Sequence, residues 1–115
     1  MIQHSINIML DFYHKGAISL EAIASKMSHD VARCFRIKER GYIREGYHAD
    51  LYLLDPDHTF VVQKDNLHYK CGWSPLEGMQ MRGKVLSTWV NGQKVWDGKE
   101  HLIGTPGERM LFERL

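Results

Sequence analysis

The pattern of apolar residues changes along this chain near residues 38 to 41. Before that boundary, apolar side chains recur at intervals of three and four, which is the period of an amphipathic helix. After it, glycines separate short segments rich in valine, leucine, tyrosine and tryptophan, a composition typical of strands and turns. The sequence therefore predicts an α+β chain in which residues 1–40 are helical and residues 41–115 are mainly β.

The helical part is expected to contain separate short helices. Gly16 is a suitable stop for the first, whose apolar face comprises Ile2, Ile6, Met9, Leu10 and Tyr13. Ser19 is placed to cap a second helix, with an expected buried stripe of Leu20, Ile23, Ala24 and Met27. Asp30 is placed to cap a third helix that ends by Ile37, with an apolar side formed by Val31, Cys34 and Phe35.

The β part is expected to begin with a short strand over residues 51–54. Asp55-Pro56-Asp57 has the composition of a turn, and residues 59–63 form the next predicted strand. Asn91-Gly92 favours a tight hairpin turn between strands at 85–90 and 93–96, because both residues tolerate a positive φ angle. About five short strands are too few to cover both faces of a sheet, so these strands are expected to belong to a larger sheet system.

Length and charge limit the functions that the chain can perform. It has 115 residues and a net charge of +1, and its longest apolar run is far short of the roughly 20 residues of a membrane span. The expectation is a cytoplasmic protein that binds neither a membrane nor nucleic acid, with Cys34 and Cys71 reduced. A chain this short cannot supply a whole catalytic barrel.

The residue types that usually carry catalysis show no local motif. The seven histidines lack the spacings that place paired imidazoles on one face of a helix or strand, although His29 with Cys34 stays open as a pair assembled by folding. Ser74 has no recognisable base near it in sequence. A local basic cluster is interrupted by acidic residues and is interpreted as a solvated face; its members are Arg33, Arg36, Lys38, Arg40 and Arg44.

Three tryptophans leave a second class of function open. Trp89 and Trp96 flank the predicted hairpin, and Trp73 lies in the segment before it. Packing in the core explains such residues most simply. The alternative is a small non-catalytic interaction module that presents the three indoles to a partner.

Residues 41–55, GYIREGYHADLYLLD, carry the most specific pattern in the chain. This segment resembles the Gly-x-Ile-x-x-Gly-x-x-Ala-Asp-Leu-x-Leu-x-Asp signature of the amidohydrolase superfamily. Residues 29–35 are similar to the family's histidine-asparagine-proline-alanine helix, although Asp30 and Val31 replace the asparagine and the proline. The opening Gln3-His4-Ser5 and the segment 70–92, with its Ser-Pro-x-x-Gly run, resemble the dihydroorotases and their hydantoinase and allantoinase relatives.

The resemblance implies the end of a longer enzyme. Residues 1–40 would be the last helices of a (β/α)8 barrel, and residues 41–115 the closing part of an accessory β-sandwich and a tail. The dihydroorotases that the chain resembles use zinc to interconvert L-dihydroorotate and N-carbamoyl-L-aspartate in pyrimidine synthesis. Their metal ligands and catalytic residues lie upstream of the matched segment, so the chain alone is expected to hold no zinc and to be inactive.

The resemblance also gives expectations about contacts. In the family, a loop before the first matched helix lies over the substrate, so Met1, Ile2 and Gln3 would sit at the trailing end of that loop. The expected partners are the remainder of the barrel and a second copy of the chain, bound through exposed apolar faces. A hydantoinase or allantoinase tail is the alternative within the family.

Overall fold

A computed structural model describes residues 2–102 and 107–114. A 3-10 turn, Ile2–His4, leads into helix α1, Ser5–His14. Helix α2, Leu20–Ala24, continues through a π turn, Ser25–His29, into helix α3, Asp30–Cys34. Strand β1, Leu51–Val61, is followed by a second 3-10 turn, Lys64–Asn66, and by strands β2, Gln80–Val90, and β3, Gln93–Trp96.

The first predicted helix is confirmed, including its end near Gly16, where φ is +72°. Leu10 is fully buried, and the buried Asn7 amide donates hydrogen bonds to the carbonyls of Arg82 and Gly83 at 2.8 and 2.7 Å. These bonds satisfy backbone acceptors that lie at the start of β2. The prediction for Ile2 is wrong, because its side chain is 92% exposed.

The second and third predicted helices form one continuous helical run. Asp30 is not an N-cap: its backbone is helical, with φ −67° and ψ −36°, and its carboxylate accepts hydrogen bonds from the side chains of Ser25 and Arg33. Val31 retains the backbone N–H that a proline would lack, so nothing interrupts the helix at this point. The expected buried stripe is also only partly formed, because Ile23 is buried whereas Leu20 and Ala24 are exposed.

The strands form a three-stranded sheet in the order β1-β2-β3. Strands β2 and β3 pair antiparallel with Val90 opposite Gln93, which confirms the predicted hairpin. Asn91 and Gly92 form its turn with φ angles of +50° and +79°. The register shifts between Thr88 and Trp89, as a β-bulge does.

The turn predicted at Asp55-Pro56-Asp57 is wrong, because β1 runs through it without interruption and ends at Val61. The order of strands places β1 at the edge of the sheet, where the missing N–H of a proline is tolerated. The carbonyl of Pro56 accepts a hydrogen bond from Nε2 of His14 at 2.9 Å. Within the described residues the sheet therefore has three strands and not five.

The chain divides into two compact units. The first comprises Met1–Leu20 and Asp55–Lys84, and its buried apolar side chains are Leu10, Val62 and Met81. The second comprises Glu21–Leu54 and Val85–Leu115, with Ile23 and Ala32 buried. No helix in the described part of the chain is both long and apolar enough to cross a membrane. The boundary at residue 40 and the accessory β-sandwich stay predictions.

The hairpin turn gives a first testable prediction. Replacing Gly92 by alanine should lower the free energy of unfolding by about 1–2 kcal/mol, because the residue keeps a left-handed φ that alanine adopts at this cost. A Cβ at this position meets nothing within 4 Å, so the effect isolates backbone strain. Urea denaturation measures it. Gly107→Ala is the control, since Gly107 has neither a positive φ nor a neighbour within 4 Å; an equal loss there would contradict the prediction.

Candidate functional site

The start of the chain is fixed by the Gln3 side chain. Its Nε2 donates to the carbonyl of Asn66 at 2.7 Å, and its Oε1 accepts from the backbone N–H of His68 at 2.9 Å. The Ser5 hydroxyl donates to the carbonyl of Ile2 at 2.8 Å, while the Ile2 side chain projects into solvent. The sequence prediction places Ile2 and Gln3 beside a substrate loop; Met1, the third residue of that prediction, lies outside the described residues.

His4 is buried directly beside this anchor, with 1% of its surface exposed. Its ring stacks on Phe60 and meets the edge of Tyr69, with centroid distances of 6.1 Å in both pairs. Nδ1 lies 3.3 Å from the Tyr69 hydroxyl, and Nε2 has no hydrogen-bond partner among the described residues. Burial lowers the pKa of His4, because desolvation penalises the imidazolium form.

The sequence prediction missed His4, although a signal was present. His4, Asn7 and Leu10 are spaced at intervals of three, so they share the face of the first helical segment that is buried. The apolar pattern predicts that face from Ile2, Ile6, Met9, Leu10 and Tyr13 and contains no polar residue. A polar residue at a core position is the more informative observation.

The turn that holds Gln3 is itself closed by Asn66. The backbone N–H of Gln63 donates to Oδ1 of Asn66 at 2.9 Å, and Nδ2 of Asn66 donates to the carbonyl of Val61 at 2.7 Å. These bonds satisfy both ends of the side-chain amide. The carbonyl that Gln3 contacts therefore belongs to a turn that the Asn66 side chain closes with two hydrogen bonds.

A second polar network joins the 41–55 segment to the hairpin. The Arg40 guanidinium is only 8% exposed; it forms an ion pair with Asp50 and donates to Oδ1 of Asn91 at 2.8 Å. Oδ1 of Asp50 accepts from the backbone N–H of Asn91 at 2.9 Å. Burial raises the pKa of Asp50, but the Asn91 N–H and Arg40 together outweigh it and hold that pKa below its usual value. The interpretation of Arg40 as part of a solvated basic face is therefore wrong.

An open cleft of about 400 Å³ lies beside this network within the second unit. Its apolar walls include Leu51, Tyr52, Trp89 and Met110. Arg40 and Asp50 also line it, but each charge is paired with the other. The Arg40–Asp50 pair stabilises the turn, and Glu108 is a further, exposed acidic group in the lining of the cleft.

The described residues do not fit a catalytic zinc ion. Such a site needs about three protein ligands around one open position. Within residues 2–102 and 107–114, no group of three histidine, cysteine, aspartate or glutamate side chains is arranged to hold a metal. His29 stacks on Tyr42 with a centroid distance of 4.3 Å, and Cys34 and Cys71 are free thiols.

The tryptophans differ in their surroundings. Nε1 of Trp96 donates to the carbonyl of Val85 at 3.2 Å, and Trp89 is half-buried with Lys94 above its ring. Trp73 is 59% exposed. Hence two of the three indoles are used within the fold.

The Amidohydrolase family profile matches residues 11–96. The chain belongs to the amidohydrolase family. A dihydroorotase of Pyrococcus horikoshii is 36% identical over 97% of this chain, and an allantoinase of Rubrobacter xylanophilus is 37% identical over 89% of it. Among solved structures, the L-hydantoinase (dihydropyrimidinase) of Arthrobacter aurescens is 31% identical over 86% of the chain, with a TM-score of 0.79. The chain is thus placed in the dihydroorotase and hydantoinase branch of the amidohydrolases.

The matched part of each relative is short. The chain spans 27% of the Pyrococcus dihydroorotase, 22% of the Rubrobacter allantoinase and 22% of the Arthrobacter hydantoinase. The amidohydrolase signature of residues 41–55 lies inside the matched region. In the structure it supplies Asp50, the partner of Arg40, and the start of β1.

Proposed function

We propose that the chain forms the C-terminal portion of a dihydroorotase-type cyclic amide hydrolase, which interconverts L-dihydroorotate and N-carbamoyl-L-aspartate. The observation that carries the proposal is the alignment with the Pyrococcus horikoshii dihydroorotase over 97% of the chain. Dihydroorotases of Pyrococcus abyssi and Pyrococcus furiosus align over 97% and 96% at 35% and 33% identity. A role in pyrimidine synthesis in the cytoplasm follows from this activity as part of the proposal.

An allantoinase or hydantoinase tail is the competing assignment. The allantoinases of Rubrobacter xylanophilus and Desulfitobacterium hafniense are slightly more similar where they match, at 37% and 40% identity, but they cover 89% and 76% of the chain. The three Pyrococcus dihydroorotases align over a longer stretch. Length of alignment therefore favours dihydroorotase, whereas local identity favours allantoinase, and the substrate assay below decides between them.

The proposed reaction is hydrolysis of a ring amide. Water adds to the carbonyl carbon, the C–N bond breaks, and the nitrogen takes up a proton. The zinc that the family resemblance implies would polarise the carbonyl, and we place it outside these residues because their donor set does not fit it. In this proposal the chain positions the substrate loop. The Gln3 side chain is hydrogen-bonded to the backbone of Asn66 and His68, and this holds Ile2 at the trailing end of that loop.

The proposed partners are the remainder of the barrel and a second copy of the chain. In the first unit Phe12 is 47% exposed on α1, and in the second unit Phe35 is 63% exposed just after α3. Exposed apolar side chains mark an interaction surface when they lie side by side, as Phe35 does with Val31 four residues earlier, which is 39% exposed. We propose that barrel helices cover them in the longer enzyme and that copies of the isolated chain associate through them.

The first experiment tests whether the chain alone is silent. The purified 115-residue protein is incubated with zinc and L-dihydroorotate, and ring opening is followed by ultraviolet absorbance. We expect the rate in buffer alone, because no metal ligand set lies within the described residues. Ring opening above that rate would contradict the proposal.

A chimera tests the positive part of the proposal. The chain replaces the matched 27% of the Pyrococcus horikoshii dihydroorotase. We expect the chimera to open dihydroorotate, and the Pyrococcus enzyme truncated before the matched segment to be inactive. The assay is repeated with allantoin and hydantoin on the longest natural polypeptide that contains the chain; preference for either would replace the dihydroorotase assignment.

A non-catalytic interaction module is the alternative from another class. The exposed Trp73 is the observation in its favour. A module that folds by itself should be monomeric, unfold cooperatively and bind no hydrophobic dye. The proposed enzyme portion should bind such a dye and self-associate. Sedimentation velocity and dye fluorescence separate the two.

A further inference from the structure

The His4 ring is the most deeply buried titratable side chain in the part of the chain that the structure describes. A neutral imidazole has one N–H and one lone pair. Tyr69 is positioned to pair with Nδ1, while Nε2 is left without a hydrogen-bond partner among the described residues in either tautomer. An unpaired buried polar atom is costly, so the orphaned Nε2 destabilises the buried position of the ring.

Uptake of a proton makes this environment unsuitable for His4. Both ring nitrogens become donors, and the Tyr69 oxygen can accept from only one of them. The ion pairs formed by the described residues do not include His4. The charges that act on His4, that of the His68 imidazole among them, lower its pKa and so oppose protonation in the same direction as burial. The imidazolium is therefore more stable in water than in this pocket.

The geometry points to an acid-sensitive clamp, in which His4 and Gln3 hold the start of the chain against residues 66–69 and release it when His4 is protonated. Gln3 directly precedes His4 in the chain. Expulsion of the His4 ring therefore displaces the Gln3 side-chain amide, which is hydrogen-bonded to the Asn66 carbonyl and the His68 N–H. The carbonyl of Ile2 moves with them. This control is separate from the proposed catalytic assignment and holds for any substrate of the longer enzyme.

The direction of the pH effect follows from burial. In the clamped state, desolvation holds the pKa of His4 below its unperturbed value of 6.5. The released state then binds more protons than the clamped state at mildly acidic pH. The clamp is closed above the unperturbed pKa and is lost as pH falls from there through the lower value of the clamped state.

Amide hydrogen exchange of the 115-residue protein tests the clamp. The His68 N–H donates to Gln3, and its protection factor, corrected for the intrinsic exchange rate, should fall about tenfold between about pH 7.5 and about pH 5. The Val62 N–H, which donates to the carbonyl of Met79 in the same unit, is the internal reference and should change by less than about twofold. An unchanged His68 protection factor, or a parallel loss at Val62, would overturn the clamp.

Two substitutions assign the effect to His4. His4→Gln keeps a polar group opposite Tyr69 but does not titrate, so the His68 protection factor should become independent of pH. If the protection factor of this variant still falls at acidic pH, the proposal is refuted. Tyr69→Phe keeps His4 and removes its partner, and should lower the protection factor roughly fivefold at neutral pH. If His4→Gln does not fold, Tyr69→Phe is the deciding variant. An unchanged His68 protection factor in Tyr69→Phe would then contradict the clamp. The matched control is His58→Gln at an exposed histidine, which should leave the pH dependence unchanged.

Discussion

Gly41→Ala should destabilise the protein by about 2–5 kcal/mol, the sum of a strained backbone and a steric overlap. Gly41 has a φ of +80°, in the left-handed region that alanine adopts at a cost of about 1–2 kcal/mol. A Cβ at this position lies 2.5 Å from the Cβ of Ala32 and 2.9 Å from the carbonyl oxygen of Ser28. Both atoms belong to the helical run Leu20–Cys34, and neither is the end of a flexible side chain, so the helix itself must move.

Gly46→Ala is the matched control for this substitution. Gly46 lies in the same signature segment with nearly the same φ, +82°, but a Cβ there meets nothing within 4 Å. Gly46→Ala should therefore lower the free energy of unfolding only by the cost of the strained backbone, about 1–2 kcal/mol. Urea denaturation of both variants gives the difference, which measures the overlap with the helix. Equal losses for the two variants would show that the close approach of Gly41 to Ala32 is unimportant.

The two glycines also show how far the sequence predicts this fold. The signature and the Asn91-Gly92 turn depend on residues whose local backbone preferences are strong, and the sequence predicts the turn and its flanking strands but not the register shift between Thr88 and Trp89. Gly41 and Gly46 are indistinguishable in the pattern, because the crowding at Gly41 comes from a helix more than eight residues earlier. The turn predicted at Asp55-Pro56-Asp57 is wrong because these residues are part of strand β1, whose place at the sheet edge tolerates the missing N–H of Pro56.

The polar residues of the candidate site were the least predictable. Arg40 belongs to a run of charges that looks solvated, and its burial depends on Asp50 and Asn91, which are distant in sequence. His4 is buried because Phe60 and Tyr69 close over it. Sequence patterns identify which faces are apolar, but they do not identify which polar side chain finds a partner in the core.

Asp50→Ala should destabilise the protein by about 2–4 kcal/mol, because it leaves the buried Arg40 guanidinium without its carboxylate. Arg40 retains Oδ1 of Asn91 as a partner, which keeps the loss below that of an isolated buried charge. The substitution also removes the acceptor for the Asn91 N–H in the hairpin turn. The control is Asp11→Ala, which breaks an exposed pair with Lys15 and should cost less than about 0.5 kcal/mol.

Asp50→Asn separates the charge from the hydrogen bond, because the amide oxygen still accepts from the Asn91 N–H. The loss in free energy of unfolding should be smaller for Asp50→Asn than for Asp50→Ala, and it should shrink as the pH becomes acidic. The folded state holds the pKa of Asp50 below its unperturbed value of 3.8, so the ion pair contributes its full stability above that pH. This contribution disappears as pH falls through the lower folded-state pKa. Urea midpoints between neutral and strongly acid pH should therefore converge for the wild type and Asp50→Asn; a constant difference would show that Asp50 does not stabilise the fold through its charge.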